Sequence, residues 1–345
     1  MNKKQKEILK LQLSQEKELI KDLKKTYNKA LNDIKERIKA LQAQEQTQSK
    51  IYQLRYQQAL EKQISGIIDV LEGENIQLIA ERLTEAYETG FLGSLYIMHG
   101  YEIPLLFGVD EKRIMTSVLK PIENMTFAKR LNINMNEFKK TIKAEISRGI
   151  ATNASYGAIA KQIELRIKEN FNRSYRIAQT EMGRVSSEAK FDSMLKAKEN
   201  GAKVYKQWCA TLDLKTRPAH QKLDGQKREI DEPFTYQGHK AMHPHGFNVA
   251  GLDINCRCTL LEVPEWIDTN SPQNRRDGIT GQVIQANTYE EWINKYYSKE
   301  SVEYIKYVEK MRGKYKANFK DTLAKMSDKE YEKLTLLGKK IKKQR

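Results

Sequence analysis

The chain is poor in cysteine, with three in 345 residues. That is too few for a disulfide scaffold, and the odd count suits a reducing compartment or a metal site. It also lacks any long apolar run. The longest patches, 92–98 and 103–109, are interrupted by Gly, Ser, Glu and Pro, far short of the roughly 20 residues that span a bilayer. The opening residues pass from Met1 into lysine-rich helical text without an apolar core or a cleavage site, so cytoplasmic synthesis and no membrane partner are expected. Proline is scarce as well. There is none between Lys3 and Leu71, where Gly66 is the only glycine, which excludes a turn-rich fold for that span. Acidic residues fall short of basic ones, 45 against 61, for a net charge of +16. Such an excess either keeps the chain soluble or suits polyanionic partners such as nucleic acid.

What is present is mostly helix-forming. Hydrophobic residues make up 39% and charged residues 31%, with a mean hydropathy of -0.72, as expected where part of the chain is extended helix with little burial. Four segments are expected. Residues 1–72 form a long helix or helical hairpin, a coiled-coil arm with Leu13, Ile20, Tyr27, Ile34 and Leu41 seven apart and Leu31 and Ile38 at the complementary position. Lys17, Lys24 and the polar 44–48 stretch weaken that seam and make it partner-dependent, so self-association through it is one expectation. Residues 73–200 form a helical domain. Its apolar stripe, Ile76, Ile79, Ala80, Leu83 and Tyr87, is broken by Gly90, Gly93 and Gly100. Asn136 caps a helix stopped by Gly149, Ser155 caps the next, and Ser174 opens one that ends at Gly201. Within that last helix, Glu181, Arg184 and Glu188 stand three and four apart and form an ion-paired row.

Residues 201–265 are a loop-rich cap holding every cysteine and four of the five histidines. Val204, Lys206 and Trp208 alternate with Tyr205 and Gln207 as in a strand, and 255–263 is a second strand. The loops between need a staple. A hairpin turning at Asp224-Gly225, a network from Asp213 and Arg217, or a bound metal would each serve. A structural zinc could draw on Cys256, Cys258 and His220 with one of Cys209, Asp213, His243 or His245. Buried reduced thiols with a hydrogen-bonded His220, and a disulfide, are the other readings. In a regular strand Cys256 and Cys258 would have alpha carbons about 6.5 Å apart, so a shared ion requires a bend. Residues 266–345 are read as a basic helical tail in which Lys339, Lys340, Lys342, Lys343 and Arg345 are candidate non-specific phosphate contacts. The fold class is α+β and predominantly α-helical, with short antiparallel strands in the cap.

Trp208, Asp213, Thr216, Arg217, His220, Asp224, Gly225, Pro233, Phe234, Pro244, Asn255, Cys256, Arg257 and Cys258, preceded by Pro121, Phe127, Arg130 and the Arg176 to Glu181 run, resemble in order the signature of the Mu protein F-like phage head morphogenesis family. The resemblance covers about residues 70–265, and Gln179 stands where an arginine is expected. It implies a minor capsid protein of a tailed bacteriophage, made in the host cytoplasm and carried in the virion at the portal vertex or head interior. The implied partners are a portal, scaffold or major capsid protein, with non-specific contact with packaged DNA as a further expectation, and no catalytic activity is implied. Two rival readings are a metal-dependent nuclease using Asp213, His220 and Asp224, and a plain DNA-binding protein.

Overall fold

The computed structural model describes residues 1–42, 50–103, 105, 107–152, 154–268 and 273–342. The chain divides into two compact units. One holds residues 2–206 and 228–265; the other holds Met1, 207–227 and 266–345.

The larger unit is built on two long antiparallel helices, α1 (Lys3–Gln42) and α2 (Lys50–His99). Cross-links run in opposite order along them: Gln15 to Thr89 at 2.7 Å, Asp22 to Arg82 at 2.7 Å, and Lys29 to Glu74 at 2.5 Å. The side chain of Leu13 is exposed and Ile20 only half-buried. The buried stripe is instead Leu19, Leu23, Tyr27, Ala30, Ile34 and Ile38. Its steps of four and three follow the pitch of a helix seated on two neighbours, α2 and α5, and not the strict heptad of a two-stranded coil. The 44–48 interruption lies outside the described residues.

Gly90 and Gly93 do not break α2. They lie inside it and mark close approaches. A Cβ on Gly90 would stand 2.8 Å from the Ser186 carbonyl and 2.9 Å from the Ala189 Cβ, and one on Gly93 would meet Ile8 at 2.7 Å. The helix stops at His99, ahead of Gly100.

After α3 (Glu111–Leu119), capped by Asp110, come α4 (Phe127–Ala151) and α5 (Tyr156–Glu199). Ser155 caps α5 by accepting from the Ala158 N–H, and Gly201 follows the helix at φ +86°. Asn136 and Ser174 are not caps; each lies within a helix. Ser174 is buried and accepts from the Tyr27 hydroxyl at 2.7 Å and the Asn134 amide at 2.9 Å. A polar side chain that can be satisfied across helices is as comfortable inside a bundle as at an end. Gly149 also lies within α4, packed against Ile159.

The 44-residue α5 is the spine of this unit, packed on α1, α2, α3 and α4. Strand β1 (Val204–Cys209) follows it; β1, β2 (Lys227–Arg228) and β5 (Thr259–Pro264) form a sheet in the order β2-β1-β5. β3 (Phe234–Tyr236) and β4 (His239–Ala241) form an antiparallel hairpin with Phe234 opposite Ala241, and α7 (Ala250–Asp253) precedes β5.

In the second unit, α6 (Pro218–Leu223) packs on α8 (Tyr289–Tyr296). The 266–345 segment is not wholly helical. β6 (Asn274–Arg276) and β7 (Val283–Gln285) form a hairpin in which Arg275 pairs with Ile284. Leu212, Ala286, Tyr289 and Trp292 form the local core, and α9 (Lys299–Tyr315), α10 (Phe319–Lys325) and α11 (Asp328–Lys342) complete the chain. Lys340 is exposed at the end of α11, and Lys343 and Arg345 lie outside the described residues. No described helix is long and apolar enough to cross a membrane.

Candidate functional site

The motif residues on α5 each hold a different part of the larger unit. Arg184, itself buried, donates through Nε to Glu181 at 2.7 Å and through Nη1 to Glu188 at 3.0 Å. Its Nη2 reaches the Ser117 carbonyl at the end of α3, 2.7 Å away. Glu181, fully buried, also pairs with Arg130 of α4. Glu188 in turn accepts from Lys120 at 2.6 Å and from the Ser117 hydroxyl at 2.9 Å. The three-and-four spacing puts Arg184 within reach of both carboxylates. Removing either acid would leave the buried guanidinium with one carboxylate and the Ser117 carbonyl. Gln179, at the position where an arginine is expected, donates to Glu16 of α1 at 2.6 Å and so fastens α5 to the first helix.

The same helix also grips the loop that ends in the cysteines. The Thr180 hydroxyl accepts from the Asn255 N–H at 2.9 Å. Gly183 leaves room for His245, whose ring would stand 2.5 Å from a Cβ placed there. Inside the loop, Asp253 accepts from the Phe247 and Val249 N–H groups, each at 3.2 Å. Burial pushes the Asp253 carboxyl above its usual range, partly opposed by those amides. His243 is buried against Phe191, with its Nδ1 2.9 Å from the Pro244 carbonyl. Burial pushes its imidazole down to about 4, against the pull of Glu188, so the ring is neutral near pH 7. His239 is exposed.

Lys206 is another buried polar residue. Its ammonium donates to the Ile230 carbonyl at 2.9 Å and lies between the rings of Phe191 and Phe234, 4.8 and 5.4 Å from their centroids. Burial lowers it to about 8. Elsewhere on this unit Arg130, Arg173, Arg176 and Glu137 line a concavity of about 260 Å³ together with Ile133, Ile177 and Ile254.

In the second unit, Trp208 is fully buried and meets His220 edge-on with ring centroids 5.8 Å apart. Asp213 turns the backbone, accepting from the Lys215 N–H at 3.0 Å and the Thr216 hydroxyl at 3.2 Å. Arg217 starts α6 without a side-chain cap bond. Asp224 and Gly225 do not form the turn of a two-residue hairpin. They follow α6, and Gly225 at φ +81° returns the chain beside β1, where its N–H donates to the Trp208 carbonyl at 2.9 Å.

The staple of this segment is a residue that sequence reasoning did not single out. Arg275 of β6 forks onto Asp224 at 2.6 and 3.0 Å and donates to the Ala210 carbonyl at 2.5 Å. Asp224 also accepts from the Ala210 N–H at 2.6 Å. Both partners are buried. Cys209 is half-buried in this unit, Cys256 and Cys258 are buried in the other, and none of the three is in a disulfide.

Residues 140–261 match the family described as Phage Mu protein F like protein. The chain is 31% identical over 299 residues to the NAD(+)–arginine ADP-ribosyltransferase EFV of Enterococcus faecalis, covering 85% of this chain and 60% of that protein. It is 31% identical over 224 residues to the minor head protein GP7 of Bacillus phage SPP1, covering 63% of this chain and 71% of that protein. No solved structure matches. The matched segment contains the α5 spine, the loop that it grips and the first half of β5, and the chain belongs to the phage Mu protein F-like family of head proteins.

Proposed function

We propose that the chain is a structural minor head protein of a tailed bacteriophage, acting in head assembly at the portal vertex or head interior. The observation that carries this reading is the use made of the family's motif residues. Thr180, Glu181 and Asp224 are buried, and their polar groups are spent on helices, loops and backbone. Asp224 accepts from both arms of Arg275 and from the Ala210 and Tyr289 N–H groups, which occupies the four lone pairs of a carboxylate and weighs against a nuclease built on it. The basic excess suits contact with packaged DNA, whose affinity would fall steeply with added salt.

A second reading comes from the enterococcal relative, whose name describes arginine ADP-ribosylation. This chain spans 60% of that protein's length. We assign the shared part to the head domain and not to the transfer reaction. Incubation of the purified chain with NAD+ and an arginine-rich acceptor should release no nicotinamide above the uncatalysed rate. Turnover, lost on substitution of a carboxylate of this chain, would replace the structural reading with an enzymatic one. Co-expression with the portal protein of the same phage should yield a complex that survives purification, and failure to associate would count against placement at the portal.

A further inference from the structure

We propose that an open groove between α1 and α2 is an interface between two copies of this chain related by a two-fold axis. The groove has a volume of about 350 Å³ and belongs wholly to the larger unit. Asp33 and Arg37 line its α1 side, and Gly66, Ile67 and Val70 its α2 side. Val70 is 56% exposed, a large apolar side chain left in water. Gly66, four residues before it, lies inside α2, where glycine is a poor choice for a helix. At Gly90 and Gly93 the neighbours Ser186 and Ile8 account for the missing side chain, but a Cβ on Gly66 would meet nothing within 4 Å. Nothing among the described residues of this chain requires a glycine there, whereas the close approach of another helix would.

The register of the two helices identifies the occupant. Gln15 stands opposite Thr89, Asp22 opposite Arg82 and Lys29 opposite Glu74. Continued by the same steps, that register sets the level midway between Asp33 and Arg37 on α1 against the level midway between Gly66 and Val70 on α2. A two-fold axis running across the groove at that level, at right angles to both helices, lays α1 on α1 and α2 on α2, antiparallel. It seats each Val70 over the partner's Gly66 and brings each Asp33 to the partner's Arg37. Both pairs are four residues apart, about 6 Å along a helix, so one axis serves them together. Asp33 and Arg37 are exposed, and neither forms an ion pair with a described residue. A closed two-fold contact demands a surface complementary to itself, and a knob with its hole and an acid with its base at matching levels meet that demand. The apolar centre is small and its rim charged, which fits a weak, salt-sensitive dimer and not an obligate one.

The test is sedimentation equilibrium of the full-length chain. Its mass should rise from the 40.1 kDa of one copy toward twice that value as the concentration approaches about 0.1 mM, and added salt should loosen the dimer. Gly66→Gln puts a side chain into space that is open in the single chain and favours the helix, so circular dichroism should be unchanged. The same side chain fills the seat of the partner's Val70 and should weaken dimerisation by about tenfold or more. Asp33→Arg sets like charges face to face on both sides of the axis and should weaken it by about tenfold. The double variant D33R/R37D opposes unlike charges again, and should recover the parental affinity. A chain that stays monomeric at about 0.1 mM would overturn the proposal and leave the groove to a different protein. A dimer that G66Q and D33R leave intact would overturn it too, and so would a D33R dimer that the double variant fails to restore.

Discussion

The Asp224–Arg275 pair offers the sharpest test of how the second unit is held. Arg275→Met removes two bonds to Asp224, one to the Ala210 carbonyl and one to the Asn287 carbonyl at 3.3 Å. Asp224 then remains buried with the Ala210 and Tyr289 amides as its donors. Breaking a buried, hydrogen-bonded ion pair from one side costs about 3–5 kcal/mol. Asp224→Asn should cost a similar amount, because an amide can still accept from Ala210 but strands the guanidinium. The double variant strands neither charge, so its loss should fall short of the sum by at least about 2 kcal/mol. The chain itself supplies the reporter: Trp208, Trp266 and Trp292 all belong to this unit. Urea unfolding followed by tryptophan fluorescence therefore reads its stability, with far-ultraviolet circular dichroism following the long helices. With a slope of about 1–3 kcal/mol per molar urea, the R275M midpoint should fall by about 1 M or more. A fall worth less than about 1 kcal/mol, or strictly additive single variants, would refute the assignment of this pair as the staple.

Gly183→Ala should destabilise the larger unit by about 1–3 kcal/mol through overpacking against His245, read as a lowered thermal midpoint. A neutral effect would mean that the imidazole is free to move aside. Lys206 is charged in both states below pH about 8, while its unfolded value lies near 10.4, or about the ordinary lysine value. Because its folded value is depressed, the unfolded state holds the proton longer, and Lys206 contributes stability that rises from pH about 8 to about 10. Lys206→Met should be no less stable than the parent at neutral pH, and the variant's stability should lose this rise when unfolding is followed across that range. A variant that keeps the same alkaline slope would show that another group is responsible.

Much of the fold was legible in local signals that have one physical meaning. The proline-free start marked a long helix or a helical hairpin, Ser155 sits ahead of an apolar stripe as a cap, and Gly201 takes the left-handed backbone that ends α5. The alternation around Lys206 and Trp208 marked β1, and the spacing of Arg184 from its two acids marked their pairing. Signals with two meanings misled. Glycine breaks a helix or lets another helix approach, and at Gly90 and Gly93 the neighbours Ala189 and Ile8 decide for approach. Serine and asparagine cap a helix or bridge between helices, and Tyr27 decides the role of Ser174. The heptad reading of α1 assumed one partner helix, whereas α2 and α5 both cover it. Arg275 left no local trace. One of two adjacent arginines in a polar stretch, 51 positions from Asp224, is distinguished only by tertiary structure.

The most direct measurement of the central claim is quantitative mass spectrometry of purified particles of the phage that encodes this chain. A structural minor head protein should be present in the particles at a copy number far below that of the major capsid protein. Its absence from intact particles, with the chain abundant in the same lysate, would contradict the account.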